Sequence, residues 1–198
     1  MPELDETMRT YRPTLYRAFA RQQDTHVPRL NTWRPPGNVP YIVDNLWEWV
    51  RPEAYPTRRT AAFASPSSEE AKADGRTFVY RLNLPEGSVV AQLNDFVDSK
   101  FHPEVNRLRI FIHEAFGRDW FSMKLADKSS EASLFCPCLS KEEVDSIVSN
   151  SSILSGPELS KEIRYWNDIR LIKEEPLAPS GEVFFAVPVD GYNMVNVE

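Results

Sequence analysis

Three short stretches set one polar residue each at the edge or mouth of an apolar strand. They are "LYRAF" with Arg17, "AAFASPSS" with Ser65, and "APSGEVFFAVP" with Glu182. A guanidinium is a planar fork of donors suited to phosphate or carboxylate oxygens. A hydroxyl can accept and donate at once. A carboxylate that opens an apolar strand costs free energy unless something uses it, and next to a reacting centre it can favour developing positive charge. Taken singly, each residue has a plainer reading: Arg17 as a surface arginine beside an acid, Ser65 as a turn or cap residue ahead of Pro66, and Glu182 as a solvated strand end.

The elements that must position them follow from the pattern. Residues 14–20 alternate as a short strand, and 21–38 is a proline-rich polar loop. In 39–52, Ile42, Val43, Leu46, Trp47 and Val50 recur at helical spacing between Pro40 and Pro52. Residues 60–65 read as a second strand. Ser67, with Glu70 three residues on and Gly75 beyond, marks a short capped helix. Residues 77–85 alternate with Phe78, Tyr80, Leu82 and Leu84 on one face, and "SVVAQLND" is a fourth strand. The stretch 101–125 is helical but mixed. Ser140 and Glu143 spell a capping box. "EIRYWNDIRLI" is a strand or a helical turn leading into one, and "GEVFFAVPV" is the last long strand. Strands dominate both ends, with helices between some of them, which is an α+β mixture rather than a βαβ series.

Composition narrows the classes. A chain of 198 residues with 41% hydrophobic and 12% aromatic residues suits one folded domain spanning 1–198. Sixteen prolines against seven glycines argue for fixed turns rather than glycine-lined phosphate loops. A net charge of −6 disfavours general nucleic-acid binding through a basic surface. The two cysteines, Cys136 and Cys138, and three histidines, His26, His102 and His113, lack the spacing of a metal site, so no metal is expected and the thiols read as free. The polar, acidic start carries no apolar leader, and no run of about 18 apolar residues could span a bilayer. The expectation is a soluble protein of the cytoplasm, or one delivered into a target cell by a route that needs no such leader, with no membrane partner.

The order of "LYR" on a first strand, an aromatic-x-Ser segment entering a helix on a second, and a late strand led by Glu resembles the Arg-Ser-Glu type of ADP-ribosyltransferase-like proteins. Many of these are bacterial toxins and effectors. The matching motifs amount to some fifteen residues spread over most of the chain. The resemblance implies a split, mostly antiparallel β-sandwich core with flanking helices, holding NAD as substrate in the cleft between its sheets. It implies Glu182 as the catalytic carboxylate on the ribose, Arg17 on the dinucleotide phosphates, and Ser65 near the nicotinamide ribose. Tyr16 sits beside Arg17, and Tyr41, Trp47 and Phe63 are the aromatic candidates for a wall against the nicotinamide ring, although Trp47 equally suits a core face. The implied reaction moves ADP-ribose to a macromolecular acceptor and releases nicotinamide, and a neutralising partner protein would be a natural companion.

Relatives that modify arginine usually carry Glu or Gln two residues before the catalytic Glu. Here that position is Ser180, which leaves protein, nucleic acid and water open as acceptors; Glu174 and Glu175 lie just upstream. Arg58-Arg59 reads either as a phosphate-binding loop or as a solvated turn. Two other readings stand beside the transferase: an NAD glycohydrolase, and a non-enzymatic partner-binding module that uses its tryptophans and tyrosines as an interface.

Overall fold

The computed structural model describes residues 12–29, 32–35, 37–72, 75–128, 130–173 and 176–197. In chain order the strands and α-helices are β1 (Leu15–Phe19), β2 (His26–Val27), α1 (Tyr41–Trp49), β3 (Ala61–Ala64), α2 (Ser68–Ala71), β4 (Phe78–Asn83), β5 (Val90–Asn94), α3 (Pro103–Ser122), α4 (Lys141–Asn150), α5 (Gly156–Glu162), β6 (Ile169–Ile172), β7 (Gly181–Ala186) and β8 (Tyr192–Asn196). Local signals explain the boundaries. Ser67 caps α2 by accepting the Glu70 N–H, and the Ser140–Glu143 capping box closes on α4 in both directions. Gly117, at φ 71°, kinks α3, and this is the mixed character of the 101–125 stretch.

The strands form two antiparallel sheets of four, ordered β1-β4-β8-β2 and β3-β7-β5-β6. Leu15, Tyr80, Leu82, Tyr192 and Met194 of the first pack against Ala62, Ala64, Val90, Val183 and Phe185 of the second. The other face of the second sheet, through Ala61, Ala91, Leu93 and Phe184, is covered by α1, α3 and α4. The architecture is α+β: sheet on sheet, with a helical layer on one side. Three elements are absent from the sequence reading: β2 inside the presumed loop, α5, and β8 after the turn at Gly191. The Tyr192/Met194 alternation is the signal for β8, since both side chains are buried while Asn193 and Val195 are exposed. Among the described residues no helix is long and apolar enough to cross a membrane.

Candidate functional site

Gly181 delivers Glu182 into the molecule. Its φ is +126°, and a Cβ at this position would lie 2.1 Å from the Leu93 carbonyl oxygen, so only glycine lets β7 approach β5 there. The Gly181 N–H donates to the Glu70 carboxylate (3.0 Å) and the Glu182 N–H to the Phe96 carbonyl (2.7 Å). Burial raises the Glu70 pKa above the ordinary carboxylate value, and the bond from Gly181 works against that rise. Alternation along β7 sends Val183 and Phe185 into the inter-sheet core and Phe184 toward the helices. Glu182 shares the face of Phe184.

There the carboxylate meets Arg58, whose Nη1 lies 2.6 Å from Oε2. The Ser99 hydroxyl donates to the same oxygen, and Tyr165 Oη lies 2.8 Å from Ser99 Oγ. Because an ionised carboxylate only accepts, the chain of donation runs from Tyr165 to Ser99 to Glu182. Arg58 Nη1 reaches all three oxygens. The guanidinium is enclosed by the rings of Phe63, Tyr165, Phe184 and Trp47, 5.2 to 5.9 Å from their centroids. Burial opposes the Arg58 charge, but the Glu182 carboxylate and the Tyr165 oxygen outweigh it and raise its pKa. Burial raises the Tyr165 pKa despite the neighbouring guanidinium. No donor among the described residues reaches Glu182 Oε1, and Glu182 borders a hollow of about 260 Å³ with Phe63, Asp44, Arg34, Arg58 and Arg59.

Ser65 lies where β1 meets β3. Tyr16 and Ser65 exchange both backbone hydrogen bonds, at 2.9 and 2.8 Å, and so join the edges of the two sheets. The Ser65 hydroxyl makes no hydrogen bond to a described residue. Arg17, half-buried, packs over Phe19 and points toward the Tyr192 hydroxyl at 3.5 Å. It borders a second hollow of about 300 Å³ with Ala62, Val187, Tyr192 and Arg34. Ala62 and Phe63 are consecutive in β3 and face opposite ways, so the two hollows flank that strand, and Arg34 borders both.

This corrects the expectation of one cavity between the sheets. Arg17 belongs to the inter-sheet side and Glu182 to the helical side, because strand parity separates them. The cation paired with Glu182 is Arg58, not Arg17. Arg58 and Arg59 are neither a free phosphate loop nor a solvated turn. Arg59 is buried, with Nε 2.9 Å from Asp44 Oδ2, Nη2 2.7 Å from Asn45 Oδ1, and a further bond to the Leu139 carbonyl. Of the aromatic candidates, Phe63 borders the Glu182 hollow. Trp47 is core, 1% exposed and stacked on Tyr165 at 3.7 Å. Tyr41, exposed at the start of α1, and half-buried Tyr16 border neither hollow. Glu174 and Glu175 fall outside the described residues, and the Ser180 carbonyl accepts from the Gln92 amide (3.1 Å).

Sequence reasoning missed Ser99, Tyr165 and Arg34. Ser99 lies in a stretch, 95–160, whose pattern suggests no site, and Tyr165 reads as an ordinary apolar residue of "EIRYW". A larger hollow, about 790 Å³, opens at the β4–β5 turn beside Leu84, Val89 and Leu171. The Arg12–Glu86 ion pair there is solvent-exposed, and no buried charge among the described residues faces that space, which distinguishes it from the hollow at Glu182. Among the described residues no cluster of three or more metal-ligating side chains occurs, and Cys136 and Cys138 are free thiols. No protein-family model, no curated protein and no solved structure matches the chain.

Proposed function

We propose that this chain is an NAD-using ADP-ribosyltransferase of the Arg-Ser-Glu type, with its two sheets as the split sandwich of that class. The observation that carries the reading is the placement of Glu182: a buried carboxylate with one oxygen fixed by Arg58 and Ser99, bordering a hollow that shares Arg34 with the hollow of Arg17. Each hollow lies at the lower end of the roughly 300–1,000 Å³ usual for ligand sites, and the two share Arg34 at the edge of β3.

In this reading the nicotinamide ribose enters the Glu182 hollow. Oε1 accepts a hydrogen bond from a ribose hydroxyl as the bond between C1′ and the nicotinamide nitrogen lengthens. Both electrons of that bond leave with nicotinamide, which departs neutral, and the ribose becomes oxocarbenium-like. An acceptor O–H or N–H attacks C1′, forms the new glycosidic bond and loses its proton to solvent. Since Arg58 neutralises much of the Glu182 charge, the contribution is directional rather than bulk attraction: an acceptor oxygen held rigidly where the ribose hydroxyl polarises. Arg58, Ser99 and Tyr165 are positioning residues, and Phe63 is the wall available to the nicotinamide ring.

Labelled NAD incubated with the purified chain and a cell lysate tests this. Label on macromolecules together with nicotinamide release is expected, and Glu182→Gln lowers release at least about 100-fold with the fold retained by circular dichroism. Nicotinamide release without transferred label assigns the hydrolase instead. Absence of release, with no melting shift at millimolar NAD, removes NAD chemistry and leaves a partner-binding module.

A further inference from the structure

At the ends of β4 and β6 and the start of β5, a hollow of about 790 Å³ opens between the two sheets. Its floor is the inter-sheet core itself: Leu82 from one sheet, Val90 and Ile172 from the other, all buried and all in one packed cluster. Half-buried Leu84 and Leu171 and the exposed Val89 carry the apolar surface out to the mouth. The β4–β5 turn is held by its own bonds. Gly87 takes a left-handed φ of 77°, the Ser88 hydroxyl donates to the Pro85 carbonyl (2.7 Å), and the Val89 carbonyl accepts from the Ala186 N–H (3.1 Å).

Charge gathers only at the rim. Arg12, Arg81 and Lys173 border the hollow and are exposed, against one carboxylate, Glu86, which pairs with Arg12 at 3.1 Å. No ion pair with a described residue engages Arg81 or Lys173. A positive excess at this mouth runs against the net charge of −6 of the whole chain. An apolar floor excludes a charged group, and a cationic rim favours an anion that stays in water. The volume lies within the roughly 300–1,000 Å³ usual for ligand sites.

We propose that this hollow binds a free aliphatic carboxylate, whose methylenes lie over Leu82, Val90 and Ile172 while its head group stays at the mouth beside Arg81 and Lys173. A single head charge fits, because Glu86 stands at the same rim. A bilayer surface would call for projecting apolar side chains, whereas those of the floor recede between the sheets. The site is separate from Glu182 and does not rest on the transferase reading.

Calorimetric titration of the full chain with dodecanoate, kept below its micelle concentration, tests the site. Saturable binding is expected, tightening about tenfold with each two methylenes from octanoate through decanoate to dodecanoate. Dodecyltrimethylammonium, with the same tail and the opposite charge, binds at least about tenfold more weakly. Val89→Asp places a like charge on the wall at an exposed position and weakens dodecanoate binding at least about tenfold. Lys173→Gln weakens it about threefold. Leu125→Asp, at an apolar side chain 77% exposed outside the hollow, changes nothing. Four results each overturn the proposal: no saturable binding, an affinity indifferent to chain length, equal affinity for the ammonium, or wild-type affinity in folded Val89→Asp. The chain-length and head-group comparisons use the wild type, so they decide the matter even where a variant fails to fold.

Discussion

On one side of β3, Arg58 is sealed among aromatic rings and matched to Glu182; on the other, Arg17 and Arg34 border an open recess, with no carboxylate of the described residues bonded to them. The same side chain does two jobs because its surroundings differ. Where water is excluded, an unmatched charge is prohibitive, so Arg58 and Glu182 exist as a unit and fix one another's geometry. Where water reaches, an unmatched guanidinium costs little and stays available to a ligand. The Glu182 side is closed and matched in charge; the Arg17 side is open to water.

The contrast can be broken in order of size. Gly181→Ala, which thrusts a Cβ into the Leu93 carbonyl at a left-handed φ, should cost more than about 4 kcal/mol or abolish folding, read as loss of a cooperative melt. Arg58→Met leaves Glu182 buried without its cation and should cost about 3–5 kcal/mol in urea unfolding. The double variant Arg58→Met/Glu182→Gln should lose clearly less than the sum of the two single changes, which a double-mutant cycle reports. Additivity would mean that the pair is not the unit described.

Tyr165 gives a pH signature. An unfolded tyrosine ionises near its ordinary value of about 10, whereas burial keeps the folded hydroxyl protonated to higher pH. Ionisation therefore draws the chain toward the unfolded state: stability is full below about pH 10 and falls as pH rises beyond it. The melting temperature should drop across that range, and Tyr165→Phe should flatten the drop. At the small end, Arg17→Gln should shift stability by no more than about 0.5 kcal/mol, since the hydrogen bond from its guanidinium to the Tyr192 hydroxyl is 3.5 Å long. A large loss there would make Arg17 structural and erase the difference between the two sides.

Much of the secondary structure was legible because its causes are local. The Ser67 and Ser140 caps, the Ile42–Val50 stripe and the alternation through Phe78–Asn83 fall where their residue types place them. Two-residue β2 carries too little pattern to read, and in β8 the Tyr192/Met194 alternation is short and follows the breakers Pro188 and Gly191. At the site, the sequence singled out Arg17, Ser65 and Glu182 but mispaired them. Nothing local says that Arg58, 124 residues away, and not Arg17 is the cation at Glu182.

By itself the sequence determined most of the strands and helices, and that an acid, a hydroxyl and arginines stand near strand ends, because periodicity and capping act over a few residues. Tertiary structure alone decided which of those groups meet. β7 inserts beside β3, Gly181 sets its approach, and the two-residue repeat of a strand then assigns Glu182 to the helical face and Arg17 to the other. Partner choice in a folded chain is set by register and burial, and neither is encoded within the reach of a single segment.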